Sequence, residues 1–133
     1  EEFYTYIYIY ILMEKLLEKN EKYCYDAKVV SIYDGDTITV EVDLGFSVIT
    51  KQKIRFYGVN TFEIRGEERE KGLLAKQFVV DRIKDKNIKL YTIRDKTGKY
   101  GRYLGIIYYI RDDKEINLNL ELVENNHGVL YLL

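Results

Sequence analysis

Proline and tryptophan are absent from this 133-residue chain, and cysteine, histidine and methionine occur once each. The single cysteine, Cys24, excludes an intramolecular disulfide. The single histidine, His127, excludes a zinc site built on histidines and a phosphodiesterase histidine pair. Packing is the plain reading for Cys24, and a turn or C-terminal surface position that for His127 beside Gly128. Long hydrophobic runs are missing too. The apolar stretch Phe3–Met13 has eleven residues, against the roughly 20 that a membrane-crossing helix needs. Glu1 and Glu2 precede it where a signal peptide would carry bases. An excess of positive charge is also lacking. The 21 Lys and Arg against 22 Asp and Glu leave a net charge of −1, where a pure nucleic-acid-binding module would be more basic. The shortfall is local: residues 1–26 hold six acids and three bases, so the remainder carries 16 acids and 18 bases.

What is present is the material of one soluble globular domain, with 47% hydrophobic and 32% charged residues. Fourteen tyrosines and many isoleucines favour strands, so β structure should outweigh helix. Residues 3–13 read as a strand-like extension or short interface segment, and 14–22 as two turns of helix or a linker. The organised domain is expected over residues 25–133. There, Asp26–Tyr33, Thr37–Asp43 and Ser47–Tyr57 read as three strands, the second alternating Ile38, Val40 and Val42 with polar residues. Asp34-Gly35-Asp36 is turn chemistry. Across 68–86 the period changes, with Leu74, Ala75, Phe78, Val79 and Ile83 on one helical face. Ile88–Ile93 and Arg102–Arg111 are two more strands, and 117–126 a second helix. This order suggests a mainly β fold with some α, a five-stranded Greek-key barrel of the OB type. A mixed α+β sheet is the alternative.

Polar residues gather between strands in three places: Asp34 to Thr37, Arg55 to Glu63, and Lys99 to Arg102. Together they offer carboxylates for a hard cation, a candidate base and two guanidinium groups. Phosphodiester hydrolysis needs such a set. Arginines grip the phosphoryl oxygens through paired N–H donors. A divalent cation held by oxygens neutralises charge. A carboxylate placing the water contributes roughly 10²–10⁴-fold. Taken singly, each of these residues also reads as an ordinary turn acid, strand arginine or loop charge.

Their order and spacing are more specific. Ile32-Tyr33-Asp34-Gly35-Asp36-Thr37 resembles the first signature of the staphylococcal nuclease family. The stretch from Arg55 through Val59-Asn60-Thr61-Phe62-Glu63 resembles the second, and Lys99-Tyr100-Gly101-Arg102 the third. Gly72, Ala75 and Phe78 also fall where the family pattern would place them. The resemblance covers about residues 25–131. It implies an enzyme: a calcium-dependent nuclease acting on DNA or RNA with little sequence preference. By that resemblance Asp36, Asn60 and the carbonyl of Thr61 are metal ligands, with Thr37 supporting Asp36. Arg55, Glu63 and Arg102 are catalytic, Glu63 as the base or orienting group. Lys99 and Tyr100 contact a terminal phosphate of the substrate. Two positions depart from the family pattern. Asn60 stands where an aspartate is usual, so a coordinating oxygen remains but its charge is gone. Phe62 replaces a proline, which removes a fixed φ from the loop carrying Glu63. These departures keep a second function open, a catalytically weakened module that binds nucleic acid or protein. The Tyr/Ile-rich N-terminus adds a third, an assembly role. A cytoplasmic location is the expectation, with a secreted or anchored form left open because the sequence begins with Glu1 rather than Met.

Overall fold

The computed structural model describes residues 2–17, 19, 21–97 and 101–131. Five strands close into a barrel: β1 (Cys24–Asp34), β2 (Thr37–Asp43), β3 (Ile49–Phe56), β5 (Asn87–Thr97) and β6 (Tyr103–Arg111). Neighbours pair antiparallel except at the seam, where β3 meets β6 in parallel with Arg55 opposite Leu104. The expected OB-type barrel is therefore the fold, mainly β with three helices. Three short strands complete it. β4 (Val59–Thr61) pairs with β8 (Gly128–Leu130), and β7 (Lys114–Asn117) extends the sheet beyond β6.

The alternation in β2 does what its period requires, placing Ile38, Val40 and Val42 inside the barrel. In β1 the inward set is Ala27, Val29 and Ile32, which breaks the period of two. A register shift between Val29 and Ser31 resets the parity and helps curl the strand around the barrel. Helix α2 (Arg69–Ile83) buries Val79 and Ile83 against this core, and α3 (Leu118–Glu124) buries Leu118 and Leu122. The Asn117 side chain caps α3 by accepting from the Leu120 N–H at 3.1 Å. Asn119 is fully buried and satisfies three backbone groups. It accepts from Ile107 N–H and donates to the carbonyls of Tyr57 and Gly105, fastening α3 to the barrel seam. Glu121, also buried, holds Tyr109, Arg82 and Arg111 around one carboxylate.

The N-terminus corrects the sequence expectation. Residues 3–13 are not strand-like, because Glu2–Leu17 is one helix, α1. A helix pairs its own backbone groups without needing a sheet neighbour. Leu12 and Leu16, four residues apart, anchor it. Leu16 seats directly on Gly58, where a Cβ would come within 2.5 Å of its methyl and where a φ of +77° also favours glycine. The Leu16 carbonyl, otherwise an orphan of the helix end, accepts from the Asn117 amide at 2.9 Å.

Candidate active site

The corner where β1 turns into β2 carries the first group. Asp34 Oδ1 accepts from the Asp36 N–H at 3.1 Å, the local bond that shapes an Asx-type turn. The turn delivers Asp36 to a buried position facing β3 and β4. Its Oδ2 accepts from both the N–H and the hydroxyl of Thr61, each at 3.0 Å. Its Oδ1 accepts from the Thr37 hydroxyl at 3.2 Å. Arg55, at the end of β3, brings Nη2 to 3.5 Å of Asp36 Oδ2. The guanidinium is buried and pinned: Nη1 donates to the carbonyls of Phe56 and Val59, and Nη2 to Asn60 Oδ1 at 3.3 Å. Arg102 arrives from just before β6 and donates from Nη1 to the Thr37 hydroxyl at 3.2 Å. Asp36, Thr37, Arg55, Asn60, Thr61 and Arg102 thus form one connected group drawn from three separated stretches.

Glu63 lies differently. Its side chain is 61% exposed, with Arg65 Nε at 3.9 Å. Its backbone is nonetheless held, since its N–H donates to Glu68. Gly72 of α2 presses against the Glu63 carbonyl so closely that a Cβ there would sit 2.1 Å from the oxygen. Upstream, the β4–β8 pairs run through Thr61–Gly128, and the Phe62 N–H donates to the His127 carbonyl at 3.4 Å. These restraints hold the segment that lacks its proline. Lys99 and Tyr100 lie outside the described residues.

Sequence reasoning treated Asp34 as an ordinary turn carboxylate, and the structure shows more. Its carboxyl is pushed up to about 6 by burial, then by the charge of Asp36 and a side-chain hydrogen bond with it, against the opposing pull of the Asp36 N–H. No sequence pattern carries that signal, because burial of a turn is a tertiary property. Gly72 stood out only as a motif position, and its packing against Glu63 is visible only in three dimensions.

Among the described residues no cluster of three or more His, Cys, Asp or Glu side chains could hold a metal ion. The corner still fits a hard cation by the chemistry of its donors. It offers the carboxylates of Asp34 and Asp36 and the amide oxygen of Asn60, all oxygen. With Asn60 uncharged and Arg55 against Asp36, the fit is to a weakly held ion.

A family model for staphylococcal nuclease homologues matches residues 53–131. The chain belongs to that family. The matched stretch includes Arg55, Asn60, Thr61, Glu63 and Arg102, while the Asp34–Thr37 turn lies upstream of it. The chain is also similar to uncharacterized protein MJ1439 of Methanocaldococcus jannaschii, 31% identical over 129 residues. That alignment covers 81% of this chain and 60% of the relative, so the chain spans about three-fifths of that relative's length. As a staphylococcal nuclease homologue, the barrel has a nuclease-family relationship. No helix among the described residues is long and apolar enough to cross a membrane.

Proposed function

We propose that the chain hydrolyses phosphodiester bonds of DNA or RNA, with calcium as the cation and little sequence preference. The observation that supports this most is the convergence of Asp36, Arg55 and Arg102 on one corner, linked through Thr37. Asp36, Asn60 and Thr61, with Asp34 beside them, would hold the cation. When bound, it would supply positive charge to a phosphate at this corner. Arg55 and Arg102 grip phosphoryl oxygens, and Arg55 comes preorganised because two backbone carbonyls fix its plane. Glu63 orients the attacking water, after exchanging its weak, exposed pairing with Arg65 for a position over the substrate. Lys99 and Tyr100 contact a terminal phosphate.

A second reading, a module that binds nucleic acid without cutting it, draws support from the outward placement of Glu63 and from the uncharged Asn60. Incubation with denatured DNA or RNA in calcium, with chelator, and with Glu63→Gln separates the two. Chelator-sensitive cleavage lost in Glu63→Gln supports the enzyme. Binding without cleavage by the parent chain supports the module. Equal cleavage by parent and Glu63→Gln removes Glu63 from the reaction.

A further inference from the structure

Half of the exposed large hydrophobic side chains among the described residues sit on α1, ten of twenty. Five of them, Phe3, Tyr6, Tyr10, Met13 and Leu17, follow a 3-4-3-4 spacing. On an α-helix that spacing keeps side chains on one stripe, the a/d seam through which helices pair. The stripe lies away from Leu12 and Leu16, which anchor α1 to the barrel, so it faces outward. We propose that this seam pairs antiparallel with the same seam of a second copy, making the chain a homodimer joined through α1.

Area and charge select this partner. Each large apolar side chain on α1 leaves on the order of 100 Å² accessible. The five of the stripe with the flanking Ile7 and Ile9 therefore expose on the order of 700 Å², close to the roughly 800 Å² per partner that a standard interface buries. An antiparallel pair centred on Tyr10 sets Phe3 against Leu17 of the second copy. It also keeps Glu2 away from Glu2 and Glu14 away from Glu14 of the second copy and opposes the two macrodipoles. A parallel pair would instead place Glu2 beside Glu2 and Glu14 beside Glu14. The Tyr10 hydroxyl already has a partner in Glu14 of its own helix, so the ring can enter a seam without leaving a polar group unpaired. Lipid is the poorer occupant. Charges bracket the run at Glu2 and at Glu14-Lys15, so end-on insertion would carry Glu2 into hydrocarbon. Lying flat on a membrane needs a polar face, and this helix has none over residues 3–13.

Sedimentation equilibrium of the full chain tests the pairing. The parent should be a dimer, and Tyr6→Glu with Tyr10→Glu should raise its dissociation constant by at least about 30-fold. Tyr8, on the opposite side of α1, supplies the control: Tyr8→Glu should leave the dimer intact. Orientation is read by crosslinking. Phe3→Cys mixed with Leu17→Cys should form the mixed disulfide, located by mass spectrometry, while Phe3→Cys alone should not crosslink at that position. A parent chain that is monomeric at its highest soluble concentration overturns the proposal. So does loss of the dimer on Tyr8→Glu to the same extent as on the seam variant, which would mean unspecific stickiness. A monomer that co-sediments with neutral phosphatidylcholine vesicles overturns it in favour of lipid.

Discussion

Replacing Gly72 by alanine tests whether α2 sets the position of Glu63. The added Cβ would lie 2.1 Å from the Glu63 carbonyl oxygen and 2.4 Å from its carbon. Ordinary contact begins at 3.4 Å, so helix and loop must part by more than an ångström. The obstacle is backbone on both sides, and no rotamer change relieves it. Two terms of opposite sign then set stability. Alanine in a helix interior gains about 1 kcal/mol over glycine. Overpacking a tight contact costs typically 1–3 kcal/mol, and this one lies at the upper end. The net expectation is a loss of about 1–2 kcal/mol, or a fall in Tm of roughly 4–8 °C for a domain of this size. The effect on turnover should be larger, because a misplacement of about 1 Å at a catalytic group costs on the order of 10²-fold. The assay is cleavage of denatured DNA in calcium at a temperature where both proteins are folded, alongside thermal melts. Leu74→Ala, at an exposed position on the same helix, serves as control and should leave the rate near the parent's. Parental cleavage by Gly72→Ala at unchanged Tm would refute the reasoning. A lowered Tm with unchanged kcat would separate the packing from the placement of Glu63.

Asp36→Ala strands the buried Arg55 guanidinium and should cost about 3–5 kcal/mol, seen as a lower urea midpoint with or without metal. Leu16→Ala empties the contact over Gly58 and should cost about 2–4 kcal/mol, with faster tryptic cleavage at Lys15 and Lys19 as α1 detaches. The His127 pKa is lowered from 6.5 by burial and secondarily by Arg82. A depressed pKa means stability that is full above pH 6.5 and lost as pH falls from there through the folded value. The parent's Tm should therefore drop across that window, and His127→Phe, which keeps the ring contact with Phe78, should flatten the drop.

Much of the barrel was legible in the sequence because its five long strands alternate or run apolar between turn residues. β4, β7 and β8 were not, since segments of three or four residues carry too little period to register. α1 was misjudged for a physical reason. Its Tyr-Ile alternation imitates a strand, but nearly every position is apolar, so neither period is distinguishable. The decision falls instead to Leu12 and Leu16, four residues apart on one helical face, finding the barrel. At the candidate site the convergence of Asp36, Arg55 and Arg102 followed from motif order. The outward turn of Glu63 toward Arg65 did not, because loop side chains answer to neighbours no motif specifies. Asn119 and Glu121 passed unnoticed for a related reason. On an apolar-striped helix a polar residue reads as solvent-facing until the backbone groups and basic side chains it serves are seen.

The parallel seam between β3 and β6 joins residues 54–56 to 103–105, more than a third of the chain apart. Contacts this distant in sequence close late, because the loop entropy must be met before they form. Arg55 belongs to one side of the seam and Arg102 enters beside the other. A chain still emerging from the ribosome with only its first three strands released carries Asp36 and Arg55 without their distant companion. Competence at this corner is therefore all-or-none in time: it arrives with barrel closure, and any opening of the seam disperses it.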